Sequence, residues 1–135
     1  MTATLVRTVG STLCVTGACV VVAAGAFAQA GSKRNFAVAA YNYGYSVDGQ
    51  GATIRVDQYD LVRITLSTMD IPHNFTIEDE TYRIMRRAAP GKPVTFEFRA
   101  DKPGGFPFRC TLAADDHCRT MAGLLIVTPR ASADR

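Results

Sequence analysis

"GGFPFRCTLAADDHCRTMAGLLIV", residues 104–127, holds a strand ending in Cys110, a polar loop, and a short apolar run typical of a buried final strand. The loop places Cys110, His117, Cys118 and Met121 close together. All four are metal-ligating residue types, and thiolate and thioether are soft donors. The same residues also permit a plain disulfide between Cys110 and Cys118, with His117 solvated and Met121 in the core.

Strand patterns extend on the N-terminal side. In "VTFEFRA" (94–100), Val94, Phe96, Phe98 and Ala100 alternate with Thr95, Glu97 and Arg99, the period-two signature of a strand with one buried face. Val62, Ile64 and Leu66 repeat it in 61–67, as do Ile54 and Val56, Phe36 and Val38, and Phe75 and Ile77. "APGKP" (89–93) and "DKPGG" (101–105) are breakers that sit neither in a helix nor in a central strand. "YRIMRRAA" (82–89) suits an edge strand or a short helix. Many short strands in about 100 residues predict an antiparallel Greek-key β-sandwich. An immunoglobulin domain would bring a buried Trp and distant cysteines, whereas this chain has no Trp.

The first 30 residues read differently. Arg7, an apolar stretch from Leu13 to Phe27 and Ala28-Gln29-Ala30 form a secretory signal, with cleavage expected after Ala30. Retained, the stretch would anchor the chain in a membrane. Cleavage removes Cys14 and Cys19 and leaves Cys110 and Cys118 for an oxidising compartment, periplasmic or secreted. The organisation expected is a signal peptide (1–30), one domain (31–128) and a loose polar tail (129–135). The whole chain carries +3, and Arg7 is the sole charge in its first 30 residues, leaving +2 for the rest. So weak a charge gives no reason to expect nucleic acid.

The pieces "PHNF", "FPFRC", a following His and "MAGLLIV" together resemble the cupredoxins, the small copper-binding β-sandwiches of the plastocyanin and azurin kind. The resemblance spans roughly residues 35–128. It implies a copper ligand set of His73, Cys110, His117 and Met121, with Asn74 as a supporting residue tying two loops together. A His₂Cys set with a weak axial Met suits a copper electron-transfer site. His73, from a distant strand, would lock the three loop ligands to the scaffold.

Cys118 departs from that pattern. It stands as an alternative ligand to His117, since neighbours in a chain rarely face one point together. His117 is preferred here because a single thiolate with two imidazoles is the commoner electron-transfer set. A second Cys also brings in the binuclear copper centre of cytochrome oxidase subunit II, whose cysteine spacing and His order differ from those here. Zinc on His73, Cys110 and one or both of His117 and Cys118 is the remaining metal reading.

The functional expectation is an exported carrier of electrons through one copper. A copper carrier or scavenger, and a metal-free disulfide-bonded sandwich, are the alternatives. Arg83, Arg86, Arg87 and Lys92 form either a solvated edge or a docking surface for an acidic redox partner, and their place in the sequence suggests a site away from the metal. No G-x-S-x-G, H-E-x-x-H or phosphate-binding Gly loop occurs, so an enzyme is not expected.

Overall fold

The computed structural model describes residues 31–42, 44–113 and 116–131. The expected signal peptide, and residues 132–135 of the expected tail, lie outside the described residues. Among the described residues nine strands follow one another: β1 (Lys33–Tyr41), β2 (Gly44–Val47), β3 (Thr53–Asp57), β4 (Leu61–Thr68), β5 (His73–Ile77), β6 (Ile84–Ala88), β7 (Val94–Arg99), β8 (Gly104–Arg109) and β9 (Ala122–Thr128). A single turn of 3₁₀ helix, Cys118–Thr120, precedes β9. No helix among the described residues is long and apolar enough to cross a membrane.

The strands form two sheets, ordered β2-β1-β4-β7 and β3-β9-β8-β5-β6. The chain crosses between them repeatedly, which makes a sandwich. The all-β reading holds, but the pairing is mixed rather than antiparallel throughout. β1 runs parallel to β4 and β3 parallel to β9, while the other pairs are antiparallel. A strand that returns to its own sheet after an excursion through the other can re-enter in its original direction. Alternation within a strand reports burial of a face and carries no information on the partner's direction.

Alternation does set the core. Val62, Ile64 and Leu66 of β4 are buried between the exposed Arg63 and Thr65. Ile54, Val56, Phe96, Leu125 and Val127 fill the interior from the other strands. Phe75 and Phe108 stack with ring centroids 4.5 Å apart, and Phe96 lies 5.6 Å from Phe75. Each such ring contributes about 1.5–3 kcal/mol by leaving water. "YRIMRRAA" resolves as β6, an edge strand. The guanidinium of Arg86 lies 5.6 Å from the Phe96 ring centroid and covers that side of the core.

Asp60, almost wholly buried before β4, accepts Ser32 N–H at 2.8 Å and Asp57 N–H at 3.0 Å. It thereby ties the start of the domain to the β3–β4 turn.

Candidate metal centre

Strand parity assembles the site. Phe75 and Ile77 of β5 point into the core, so His73, two residues earlier, shares their face. Phe106 and Phe108 point inward from β8, so Cys110, just past its end, does too. Leu125 and Val127 point inward from β9, and Met121 has the same parity. Three inward positions thus meet at one end of the sandwich. His73, Cys110 and Met121 are all buried.

The two candidates for the fourth position lie at the 3₁₀ turn. His117 is its N-cap and lies at the surface, while Cys118 begins the turn and is 1% exposed. Cys110 and Cys118 are joined by a disulfide, their Cα atoms 5.0 Å apart, a separation normal for such a bridge. The ligand atoms of His73, Cys110 and Cys118 lie within 4.8 Å of one another. The structure therefore brings together His73, Cys110 and the alternative ligand Cys118, and turns His117 outward. The physical reason is that adjacent residues entering a tight turn diverge, and the apolar interior takes the sulfur.

Hydrogen bonds hold the surroundings. Asn74 Nδ2 donates to Thr111 Oγ1 at 2.9 Å, and Thr111 N–H donates to Asn74 Oδ1 at 2.7 Å. This two-point clamp ties the strand of His73 to the loop of Cys110. Tyr45 O–H donates to the Asn74 carbonyl at 2.5 Å, bringing β2 into the same arrangement. Burial pushes the Tyr45 hydroxyl pKa well up, so it remains a donor. Leu112 N–H points at Cys118 Sγ from 3.2 Å. Cys110 N–H donates to the Met121 carbonyl at 3.4 Å, which sets those two residues side by side.

Asp70 was missed from the sequence. Its Oδ1 lies 2.8 Å from His73 Nε2, while His73 Nδ1 lies 4.0 Å from Cys110 Sγ. Partial burial pushes the Asp70 pKa up, but N–H donors of Ile71 and Asn42, together with His73, outweigh that and hold it at about 2. The signal available was an acidic residue three before the His across Pro72, in a segment that reads as an ordinary turn.

The donor set can be tested against a metal. Three atoms bonded to one ion at roughly 2.0–2.3 Å must lie within about 4 Å of each other. A buried imidazole nitrogen and two sulfurs within 4.8 Å are close to that, once the disulfide is reduced. The set is soft and suits Cu(I) or Zn²⁺.

The basic residues lie nearer this end than their place in the sequence suggests. In the β5–β6 register Arg87 is opposite Asn74 and Arg86 opposite Phe75. Both arginines, with Arg83, are exposed.

No model of a known protein family matches the chain, and no curated protein matches it in sequence. Solved structures do. A chain of a heme-copper terminal oxidase dimer matches with a TM-score of 0.62 and 21% identity over 71% of this chain, which spans 64% of that one. The periplasmic domain of cytochrome oxidase subunit II from Bradyrhizobium japonicum matches with a TM-score of 0.61 and 16% identity, covering 70% of this chain and 83% of that domain. A chain of the mixed disulfide intermediate between a thioredoxin-like protein and subunit II of cytochrome c oxidase gives a TM-score of 0.57 and 19% identity, covering 70% and 81%. Multicopper oxidases and copper nitrite reductases also match, with this chain spanning 28% to 45% of each. All are cupredoxin-like, and so is the fold of this chain. At these identities the likeness defines the fold and leaves the ligand set to the residues themselves.

Proposed function

We propose that this chain is an exported copper-binding domain that carries one Cu(I) on His73, Cys110 and Cys118, with Met121 beside them, when its two cysteines are reduced. The observation supporting this is the convergence of a buried imidazole and two buried sulfurs at one end of the sandwich. Two thiolates and a thioether favour Cu(I), and Cu(I) is here the cargo. Loading requires opening the disulfide. A thioredoxin-like dithiol is the reductant that fits, because a cupredoxin-like subunit II has been captured in a mixed disulfide with such a protein. One partner thiolate attacks a sulfur of the pair, giving a mixed disulfide and one free thiolate on this chain. The partner's second thiolate then resolves it. Two electrons pass, leaving this chain a dithiol and the partner a disulfide. Both sulfurs are buried, so the 3₁₀ turn that holds Cys118 must move aside for the attack.

A second reading is a one-copper electron carrier on His73, Cys110, His117 and Met121. The inward parity of Cys110 and Met121 favours it. It requires His117 to turn inward and Cys118 to withdraw. Copper in that site would supply a one-electron couple, and the chain's part would be to hold the ligands rigid.

Anaerobic titration with Cu(I) against a chromophoric chelator tests the carrier reading. Reduced protein is expected to take up one equivalent and the disulfide form none. Intense visible absorption on adding Cu(II) to the reduced protein would instead support the electron carrier. Absence of copper uptake by the reduced protein would remove both readings and leave a disulfide-bonded sandwich.

A further inference from the structure

We infer that Asp70 is a positioning residue for His73, fixing the ring's tautomer so that Nδ1, bare of hydrogen, faces the two sulfurs. As a statement about metal loading this rests on the copper reading above; as a statement about the ring it does not.

The two ring nitrogens of His73 have opposite surroundings. Nε2 lies 2.8 Å from Asp70 Oδ1, and Nδ1 lies 4.0 Å from Cys110 Sγ. An ionised carboxylate only accepts hydrogen bonds, so Nε2 must carry the hydrogen. In the neutral ring Nδ1 is then left with its lone pair. The other tautomer would aim a hydrogen at the sulfurs and leave Nε2 and the carboxylate lone pair to lone pair. The ring is wholly buried, where such a mismatch is costly.

The carboxylate is itself fixed. Oδ1 also accepts Ile71 N–H at 2.7 Å, and Oδ2 accepts Asn42 N–H at 2.5 Å. Asn42 follows β1, 28 positions earlier in the chain. The Thr68 hydroxyl donates to the Ile71 carbonyl and closes the turn from the other side. Asp70 thus refers the His73 ring to two separate parts of the scaffold. A carboxylate behind a metal-ligating imidazole also raises the basicity of the ligating nitrogen.

A merely structural role would make Asp70 a loop staple without influence on the ring. The variants D70N and D70A separate the two roles. Among the described residues Oδ1 faces several donors and Oδ2 only Asn42 N–H, so D70N keeps an oxygen toward His73 and loses the Asn42 tie. D70A loses both. The measurement is the long-range ¹H–¹⁵N spectrum of the histidine rings in reduced, metal-free full-length protein at pH 8. The variant H117Q assigns the two histidines. Cu(I) affinity by chelator competition and thermal melting are measured on the same samples.

Wild type and D70N are expected to hold the Nε2–H tautomer at His73. D70A is expected to populate both tautomers, with Cu(I) affinity lower by about 10–100-fold, the range for a lost supporting partner of a metal ligand. An Nδ1–H tautomer in wild type, or wild-type tautomer and affinity in D70A, would overturn the inference. If D70A fails to fold, D70N decides: loss of the Nε2–H tautomer despite its retained oxygen overturns the inference, and retention supports it. A tautomer change in D70A with no Cu(I) uptake by wild type would support the positioning of the ring and overturn the copper reading.

Discussion

Strands β4 and β5 follow one another in the chain and are built on opposite plans. β4 alternates buried and exposed residues along most of its length, whereas all five residues of β5 are buried. The inward face of β5 is conventional, with Phe75 and Ile77 in the core below His73. Its other face carries Asn74 and Thr76, and both meet the Thr111 hydroxyl, at 2.9 and 3.3 Å. A polar face buried under a loop is costly unless paired, and here it is paired. β4 is a strand made for a core, and β5 a strand made to hold a loop over a site.

Substitutions along the two strands and their neighbours can break that contrast. The largest stability loss is expected from Phe108→Ala, which removes the ring stacked on Phe75 beneath the site: about 3–5 kcal/mol by chemical denaturation. Next come the sulfurs. Cys110→Ser and Cys118→Ser are each expected to lower Cu(I) affinity by more than about 100-fold, beyond what a lost supporting hydrogen bond costs. Retention of full affinity in Cys118→Ser would restore the one-thiolate set with His117. Asn74→Ala is expected to cost about 1 kcal/mol or somewhat more, because the Thr111 N–H loses its partner in a part-buried clamp. Thr65→Ala, on the wet face of β4, is expected to stay within about 0.5 kcal/mol. A Thr65 effect as large as that of Asn74 would mean that β5 is not special.

The smallest effect concerns encounter. Arg86→Glu with Arg87→Glu is expected to slow reaction with an acidic redox partner at low salt, in stopped-flow measurements. The difference should fade as ionic strength rises, since the Debye length is about 8 Å at physiological salt. Arg86 also covers Phe96, so melting of the variant should be compared with wild type.

The contrast also explains what the sequence made legible. Period-two burial in β4 and β7 is a local signal, and it identified the sandwich and most of the core. His73 and Cys110 were singled out by the family resemblance, and their ligand atoms lie within 4.8 Å of one another. Two things were not local. The parallel pairing of β1 with β4 and of β3 with β9 depends on how the chain crosses between sheets. The choice between His117 and Cys118 depends on the entry angle of one 3₁₀ turn. Asp70 was hidden for a third reason: its role appears only when Asn42, Ile71 and His73 converge on it in space.

The central claim is that the metal site is built on two sulfurs and one imidazole. X-ray absorption at the copper edge, on reduced protein loaded with one equivalent of Cu(I), tests it most directly. The expected spectrum has two sulfur scatterers near about 2.3 Å and one imidazole nitrogen near about 2.0 Å, taking zinc–ligand lengths as the scale. A single short sulfur with two imidazole nitrogens would contradict it and move the second ligand from Cys118 to His117.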